Sequence, residues 1–345
     1  MATVDVTVKG AGVFGLSVAY ACAKRGARVR VIDPNGVAAG ASGGLVGALA
    51  PHVPENWNAK KQFQFESLMM SEAFWAEVED RSGLSTGYVR SGRLQPLADD
   101  HAVELARARE ETSQELWQGQ AVWEVVHASG AAWEPPSGTG FLVRDTLSAL
   151  IHPRSATRAL ADALRGLGGE IASDGSDEGA VVWATGWQGL VEMSDKAPRQ
   201  IGNGVKGQAA LVRYDAAGAP QLFADALHII PHLDGSVAVG STSEREFNEP
   251  DATDAALDDV LDQARAAMPV LADSEVLERW AGVRPRSRSR APMLGRHPQI
   301  DGAYVANGGF KIGFGMAPKV GEAMVDLVLE GRVTYPDDFD VSCNL

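Results

Sequence analysis

The chain has 345 residues, enough for about two domains, which excludes a single small binding module. Hydrophobic residues make up 45% and charged residues 22%, a balance typical of a folded, soluble protein and not of a disordered or fibrous one. The 31 basic and 45 acidic residues give a net charge of −14, which disfavours nucleic acid and anionic lipid surfaces as partners.

The chain has two cysteines, Cys22 and Cys343, far apart in the sequence. They are too few for a disulfide framework and lack metal-ligand spacing, so we expect no metal site and a reducing compartment. The apolar stretch over residues 4–23 is interrupted by Asp5 and Lys9. No run reaches the roughly 20 apolar residues of a membrane span. The sequence therefore predicts a cytoplasmic protein without an export signal, and it leaves homo-oligomerisation open.

The chain opens with a strand, a glycine turn and a helix. Residues 4–8 alternate β-branched side chains, residues 10–15 form the turn, and residues 16–25 have the apolar content of a buried helix. Residues 28–33 follow as a second strand, which should run parallel to the first. This βαβ unit predicts a doubly wound α/β domain.

Apolar residues at helical spacing predict later helices, and β-branched runs predict later strands. Short strands between residues 207 and 242, separated by turns, indicate a largely antiparallel second domain. The closing part repeats the order of the opening: a strand over residues 303–307, a glycine loop over 308–318 and a helix over 319–330. The other predictions are helices over residues 62–82, 99–117, 155–167 and 253–268, and a buried strand over 180–186.

A dinucleotide-binding pattern occupies the opening turn. Gly10, Gly12 and Gly15 stand between a predicted strand and a helix, and Asp33 ends the next strand. Such glycines let a pyrophosphate approach the helix N-terminus, and the carboxylate can accept hydrogen bonds from ribose hydroxyls. A glycine turn that binds nothing is the lesser alternative. The pattern alone does not distinguish NAD from FAD.

Segments along nearly the whole chain resemble, in order, those of the D-amino acid oxidase family of FAD enzymes. Within that family the likeness is to glycine oxidases and related deaminating enzymes such as sarcosine oxidases and D-amino acid dehydrogenases. The segments are residues 40–49, 151–154, 184–186, 207–208, 237–242, 282–285, 295–298 and 308–318.

The resemblance implies a Rossmann-type FAD-binding domain and a largely antiparallel β substrate domain. The FAD-binding domain would be discontinuous, over residues 1–55, 140–200 and 280–345, and the substrate domain would take residues 56–139 and 201–279. Val13, Phe14 and Asp33 would hold the adenosine half of FAD. The residues implied beside the rest of the cofactor are Ser42, Gly43, Gly47, Ala48, Leu49, Thr185, Gly186, Gly309, Phe310, Lys311, Ile312, Gly313, Phe314 and Gly315.

Three residues are implied on the substrate side. Arg284 matches the family's arginine that grips a substrate carboxylate, a role suited to a planar guanidinium, and its plain alternative is a surface salt bridge. Lys311 stands where glycine oxidases have a second arginine. His228 stands where relatives often have a tyrosine, and its plain alternative is an ordinary core histidine.

Two further features bear on the cofactor. Residues 170–182 are very short for the stretch that usually contacts adenine, so that contact stays unassigned. The stretch over residues 284–318, where sarcosine oxidases attach flavin, contains no cysteine, which predicts non-covalent FAD.

The resemblance implies oxidation of the Cα–N bond of a small amino acid, such as glycine, sarcosine or a D-amino acid, by hydride transfer to flavin N5. Oxygen or another acceptor would reoxidise the flavin. Two alternatives stay open: the flavin domain of a tRNA wobble-uridine-modifying enzyme, and a non-catalytic flavoprotein. The net charge of −14 counts against the tRNA alternative.

Overall fold

A computed structural model of the protein describes residues 4–345. Its seven α-helices in the described part are Val13–Lys24 (α1), Ala59–Ser82 (α2), Asp100–Leu116 (α3), Pro153–Gly166 (α4), Gly186–Asp195 (α5), Ala255–Ala267 (α6) and Gly313–Glu330 (α7). None of these helices has a stretch long and apolar enough to cross a membrane.

Sixteen β-strands accompany the helices within residues 4–345. They are Val6–Lys9 (β1), Val29–Ile32 (β2), Ala48–Leu49 (β3), Arg93–Pro96 (β4), Trp123–His127 (β5), Phe141–Asp145 (β6), Ala149–Leu150 (β7), Glu170–Ala172 (β8), Ala180–Trp183 (β9), Gly202–Arg213 (β10), Gln221–Ala224 (β11), Leu227–Pro231 (β12), Ser236–Gly240 (β13), Val276–Ser287 (β14), Met293–Arg296 (β15) and Ala303–Asn307 (β16).

The first sheet has six strands in the order β15-β16-β9-β1-β2-β8. All neighbours run parallel except β15 and β16. The central strand β1 is buried because its Val6 and Val8 are fully covered, and α1 packs on α7 beside it. The predicted parallel βαβ opening is confirmed, and with it the doubly wound α/β class.

Close backbone packing explains the glycines of the opening turn. Gly10 has a φ of +110°, and a Cβ there would lie 2.3 Å from the carbonyl oxygen of Ala184. A Cβ on Gly15 would lie 2.0 Å from the carbonyl oxygen of Gly10. Both positions therefore exclude a side chain, and the turn brings the N-terminus of α1 against the ends of β1 and β9.

The second sheet has eight strands in the order β14-β10-β13-β12-β11-β4-β6-β5. Its pairs are antiparallel except for β4 with β11. The predicted largely antiparallel layer is thus confirmed. The strands β6 and β14 belong to this sheet, although β6 and most of β14 fall in ranges that we assigned to the FAD-binding domain.

The predicted glycine loop over residues 308–318 is wrong in its length. The helix α7 begins at Gly313, six residues before the predicted start, and the N–H of Met316 donates to the Ile312 carbonyl at 3.1 Å. Pro318 lies inside the helix, where its missing N–H costs one hydrogen bond, so the sequence pattern suggested a later start. The loop is therefore Gly308 to Ile312.

The prediction of short strands from residue 207 onward also needs correction. The strand β10 begins at Gly202 and runs for 12 residues against an equally long β14. The glycines at its start are weak strand formers, and their pairing with β14 is a tertiary effect that the local sequence does not contain.

Candidate active site

A cavity of about 1110 Å³ lies between the two sheets and is lined by residues of both. It exceeds the roughly 300–1000 Å³ of ordinary small-molecule pockets, which suits a long ligand such as a dinucleotide together with a substrate. At one end it reaches the opening glycine turn and Asp33, and at the other it reaches Arg284 and Lys311. A smaller chamber of about 190 Å³ adjoins it.

The N-terminus of α1 faces the cavity through Gly12, Val13 and Phe14. The Oγ of Ser42 accepts the Val13 N–H at 2.9 Å, so the segment after β2 is fastened to this helix end. A helix N-terminus carries partial positive charge and free N–H groups. These features fit a diphosphate.

Asp33 is held at the rim of the same end. Its Oδ2 accepts the N–H of Ala11 at 2.8 Å, and its Oδ1 accepts the N–H of Asn35 at 3.0 Å. The carboxylate therefore has a fixed orientation while it lines the cavity, as a ribose acceptor requires.

Two residues that sequence reasoning missed line the cavity near Asp33. The Nζ of Lys9 forms an ion pair with Asp177 at 2.8 Å and lies 4.6 Å from the centre of the Trp183 ring. Lys9 and Trp183 end the neighbouring strands β1 and β9, and both line the cavity. The shortened segment between β8 and β9 thus supplies Asp177 to this corner.

The structure gathers most of the predicted cofactor residues around these two spaces. Gly15 and Gly43 line neither space; their Cα atoms pack against the carbonyls of Gly10 and Ala38. Leu49, Ile312 and Gly315 line the smaller chamber. The others line the main cavity: Gly10, Gly12, Val13, Phe14, Asp33, Ser42, Gly47, Ala48, Thr185, Gly186, Gly309, Phe310, Lys311, Gly313 and Phe314.

Arg284 reaches the cavity from β14. Its Nη2 donates to the Oγ of Ser241 at 2.6 Å, and its Nη1 donates to the carbonyl of Thr242 at 3.3 Å. Within residues 4–345 it forms no ion pair with a carboxylate. Burial lowers the pKa of Arg284 to about 10, and the more distant Glu244 offsets this in part. The surface salt bridge considered as its alternative is absent from the described structure.

Gly207 makes the space for this guanidinium. Gly207 pairs with Gly282 in the β10–β14 ladder, and a Cβ on it would lie 2.0 Å from the Nη1 of Arg284. The position therefore requires glycine as long as Arg284 keeps its orientation.

Lys311 and His228 stand between the main cavity and the smaller chamber and line both. Burial and the nearby Arg284 lower the pKa of Lys311. Burial, together with the charges of Arg93, Lys311 and Arg284, lowers the pKa of His228 to about 4. Its Nδ1 is buried without a hydrogen-bond partner among the described residues. His228 is thus a neutral imidazole at pH 7.

Four other side chains near Arg284 escaped sequence reasoning: Trp280, Ser241, Phe223 and Arg93. The two-residue period of a strand places Trp280 on the face of β14 that carries Arg284, which is a signal that the sequence did contain. Phe223 faces His228 across the β11–β12 pair, a contact that depends on strand register.

A family model described as FAD dependent oxidoreductase matches residues 5–327. The chain belongs to this family, the DAO family. It is similar in sequence to glycine oxidase from Bacillus licheniformis, at 26% identity over 95% of this chain and 94% of the relative, and to glycine oxidase from Pseudomonas aeruginosa, at 27% identity over 95% of both. The crystal structure of iminodiacetate oxidase from a Chelativorans species has a TM-score of 0.83 at 21% identity, covering 97% of this chain and 98% of that one.

The family makes this protein an FAD-dependent oxidoreductase, and the cavity fits that cofactor. A Cβ on Gly12 would approach Ser42 to 3.2 Å, and one on Gly309 would approach the Phe14 ring to 2.9 Å. Glycine at these positions therefore lets Ser42 pack against the α1 N-terminus and Phe14 against the loop before α7, and both segments line the cavity.

Asp33→Ala should weaken FAD retention, because it removes the carboxylate that we expect to accept from ribose and the two backbone contacts that shape the turn. The purified variant should hold at most a tenth of the flavin per protein that the parent holds, a loss of about 1.4 kcal/mol or more. The measurement is the flavin-to-protein absorbance ratio after dialysis. Asp5→Ala, at the other end of β1, is the matched control, since Asp5 pairs with Arg28 outside the cavity. Equal flavin in Asp33→Ala and Asp5→Ala would refute the ribose role.

Gly207→Ala should displace the Arg284 guanidinium, because the added methyl group occupies its place. We expect the variant to keep its flavin and to require at least tenfold more substrate for half-maximal flavin reduction, a loss of about 1.4 kcal/mol. Rapid-mixing reduction kinetics measure this. Unchanged substrate dependence would show that Arg284 does not act where the structure places it.

Buried histidines should lower the free energy of unfolding when the pH is below neutral. Burial lowers the pKa of His232 from 6.5 to about 4. Its stabilising contribution is thus present above pH 6.5 and is lost as the pH falls towards 4, because the unfolded chain binds the proton first. His232→Gln should reduce the loss of unfolding free energy between pH 7 and pH 5 by about 2 kcal/mol. Urea titrations measure this, and an unchanged loss in His232→Gln would contradict it.

Proposed function

We propose that this enzyme oxidises the Cα–N bond of a small amino acid, with FAD as the two-electron acceptor. One observation carries the proposal: Arg284 is a half-buried guanidinium without a carboxylate partner in the described chain, and it faces the cavity beside the loop from Gly308 to Ile312.

Arg284 suits the recognition of a carboxylate. A charge taken out of water is costly unless it gains an ionic partner, and the two present contacts are to a hydroxyl and a carbonyl. A substrate carboxylate would supply that partner, in the two-pronged geometry that a planar guanidinium favours. The contacts to Ser241 and Thr242 hold the side chain ready for it.

The charges of the site also favour a neutral substrate amine. Arg284 and Lys311 both face the cavity, so a bound ammonium would be repelled, and its pKa would fall. His228, with a pKa of about 4, is too weak a base to take the proton from an ammonium at pH 7. The amine therefore loses its proton to solvent on binding, and the protein contributes orientation and electrostatics.

Bound FAD supplies the acceptor for a hydride from the substrate carbon. The nitrogen gives up a proton to water, the product is an imine, and water hydrolyses the imine to an oxo acid and an amine or ammonia. Oxygen or another acceptor takes the electrons afterwards. Substrate identity within this class is supported by the names of relatives: glycine for the Bacillus licheniformis protein and iminodiacetate for the Chelativorans protein.

The experiment is anaerobic reduction of the flavin by an amino acid and by its decarboxylated amine, for example alanine and ethylamine. The parent should strongly prefer the acid. Arg284→Ala should lose that preference with a thirtyfold to several-thousandfold weaker apparent affinity, the equivalent of about 2–5 kcal/mol. Arg284→Lys should recover part of it, because lysine keeps the charge and loses the fork.

Arg213→Ala is the control, since Arg213 is exposed on β10 and pairs with Glu275 away from the cavity. Equal reduction of the parent by acid and amine would refute the carboxylate role. Failure of every amine and amino acid to reduce the flavin would favour the non-catalytic alternative.

A further inference from the structure

We propose that the smaller chamber is a second anion subsite, so that the preferred substrate carries an acidic group in addition to the carboxylate at Arg284. This inference rests on the proposed function and narrows its substrate class to amino dicarboxylates. The second carboxylate can stand on the side chain or on a substituent of the nitrogen.

The chamber is placed to receive one end of a substrate. It has a volume of about 190 Å³, the space of about six water molecules. It shares Ala48, Phe223, His228 and Lys311 with the main cavity. A ligand held by Arg284 can therefore extend past His228 and Lys311 into the chamber without leaving the protein.

The chamber walls are basic. Lys311 lines it and forms no ion pair within residues 4–345. Arg93, which is 6% exposed, lines it from β4 and forms an ion pair with the fully buried Asp145 at 3.0 Å. None of its lining side chains in the described chain is acidic. Two cations and one neighbouring carboxylate leave the chamber with a net positive charge.

The polar atoms of the chamber differ in their availability. Gln64 is already used, because its Oε1 accepts from His52 and its Nε2 donates to the Ala50 carbonyl at 3.2 Å. His228 keeps a buried Nδ1 without a hydrogen-bond partner in the part of the chain that is described. Lys311, which has no ionic partner in the described chain, is free to hold a ligand, and Arg93 adds positive potential behind it.

A monocarboxylate cannot neutralise both free cations of the site. Arg284 and Lys311 carry like charges and both line the cavity, and after desolvation the charge of Arg284 is the second cause that lowers the pKa of Lys311. One carboxylate at Arg284 leaves the Lys311 charge without an ionic partner at the boundary between the cavity and the chamber. A second carboxylate supplies that partner, which is why the pair of cations favours a dianionic substrate.

The residues near the entrance of the cavity are positively charged, as the chamber is. Arg286 lies 5.7 Å from the centre of the Phe310 ring, which lines the cavity. Burial is the first cause that lowers the pKa of Arg286, and the charges of Arg290 and Arg245 add to it. None of these three arginines forms an ion pair within residues 4–345. On a chain of net charge −14, such a cluster at the mouth favours the entry of anions.

The first test uses acids that have no amine to oxidise. Glutarate and butyrate are titrated into the holoenzyme, and binding is followed by the change in flavin absorbance and by calorimetry at low salt. Glutarate should bind at least tenfold more tightly than butyrate. Lys311→Met should abolish this difference and leave butyrate affinity within about threefold, whereas Lys311→Arg should keep it.

Lys196→Met is the control, because Lys196 is exposed at the end of α5 and lies outside both spaces. Equal affinity of the parent for the two acids would overturn the subsite. So would an equal loss of both affinities in Lys311→Met, because that result would place Lys311 on the carboxylate that Arg284 binds. His228→Phe, which removes both ring nitrogens and leaves the charges in place, gives a second variant and should weaken glutarate more than butyrate.

The second test separates the two kinds of dicarboxylate and keeps the two proposals distinct. Flavin reduction under anaerobic conditions is compared for glycine, sarcosine, both enantiomers of glutamate, and iminodiacetate. At least one dicarboxylate should exceed glycine and sarcosine by tenfold or more in reduction efficiency. Preference for glutamate places the second group on the side chain, and preference for iminodiacetate places it on nitrogen. If glycine or sarcosine is as good as every dicarboxylate, the subsite is refuted while the proposed function stands; if nothing reduces the flavin, the proposed function itself fails.

Discussion

A half-buried guanidinium without a carboxylate in the described chain is the constraint on which the candidate site depends. Arg284 lines the cavity with two contacts to neutral groups, which do not balance its charge, and the β10–β14 pairing fixes the strand that carries it. Gly207, which has no side chain, leaves space for the guanidinium. The contacts to Ser241 and Thr242 fix the orientation of the guanidinium. The charge of Arg284 is therefore uncompensated on the side of the cavity, where a substrate carboxylate can pair with it.

The same strand connects the substrate side to the cofactor side. The residue after Arg284, Pro285, accepts the N–H of Phe310 through its carbonyl at 3.0 Å, so the loop before α7 is attached to β14. The next helix begins at once, at Gly313, and its N-terminus therefore lies nearer the cavity than a start at Lys319 would place it. A helix N-terminus directly after the loop from Gly308 to Ile312 can stabilise negative charge on a ligand in the cavity. The position of Arg284 and the position of the α7 N-terminus thus depend on each other through the contact between β14 and the loop before α7.

Much of the fold and part of the site could be predicted from sequence because the signals are local. The alternation in β1, the glycine turn and Asp33 lie within one βαβ unit, and the structure brings them together as expected. The extent of β10 and the pairing of Arg93 with Asp145 could not be predicted, since they depend on strand register across distant segments. The start of α7 could not be predicted because Pro318 lies inside the helix, and a proline in the sequence usually indicates a loop or a helix end.

The most direct measurement is a crystal structure of the holoenzyme with a bound, non-oxidisable carboxylic acid such as glycolate. We predict that both carboxylate oxygens lie about 2.7–2.9 Å from the two Nη atoms of Arg284, the range of charge-assisted pairs. The guanidinium should keep its contact with Ser241. A carboxylate bound elsewhere in the cavity, with Arg284 paired to an acidic side chain of the protein, would contradict this role of Arg284.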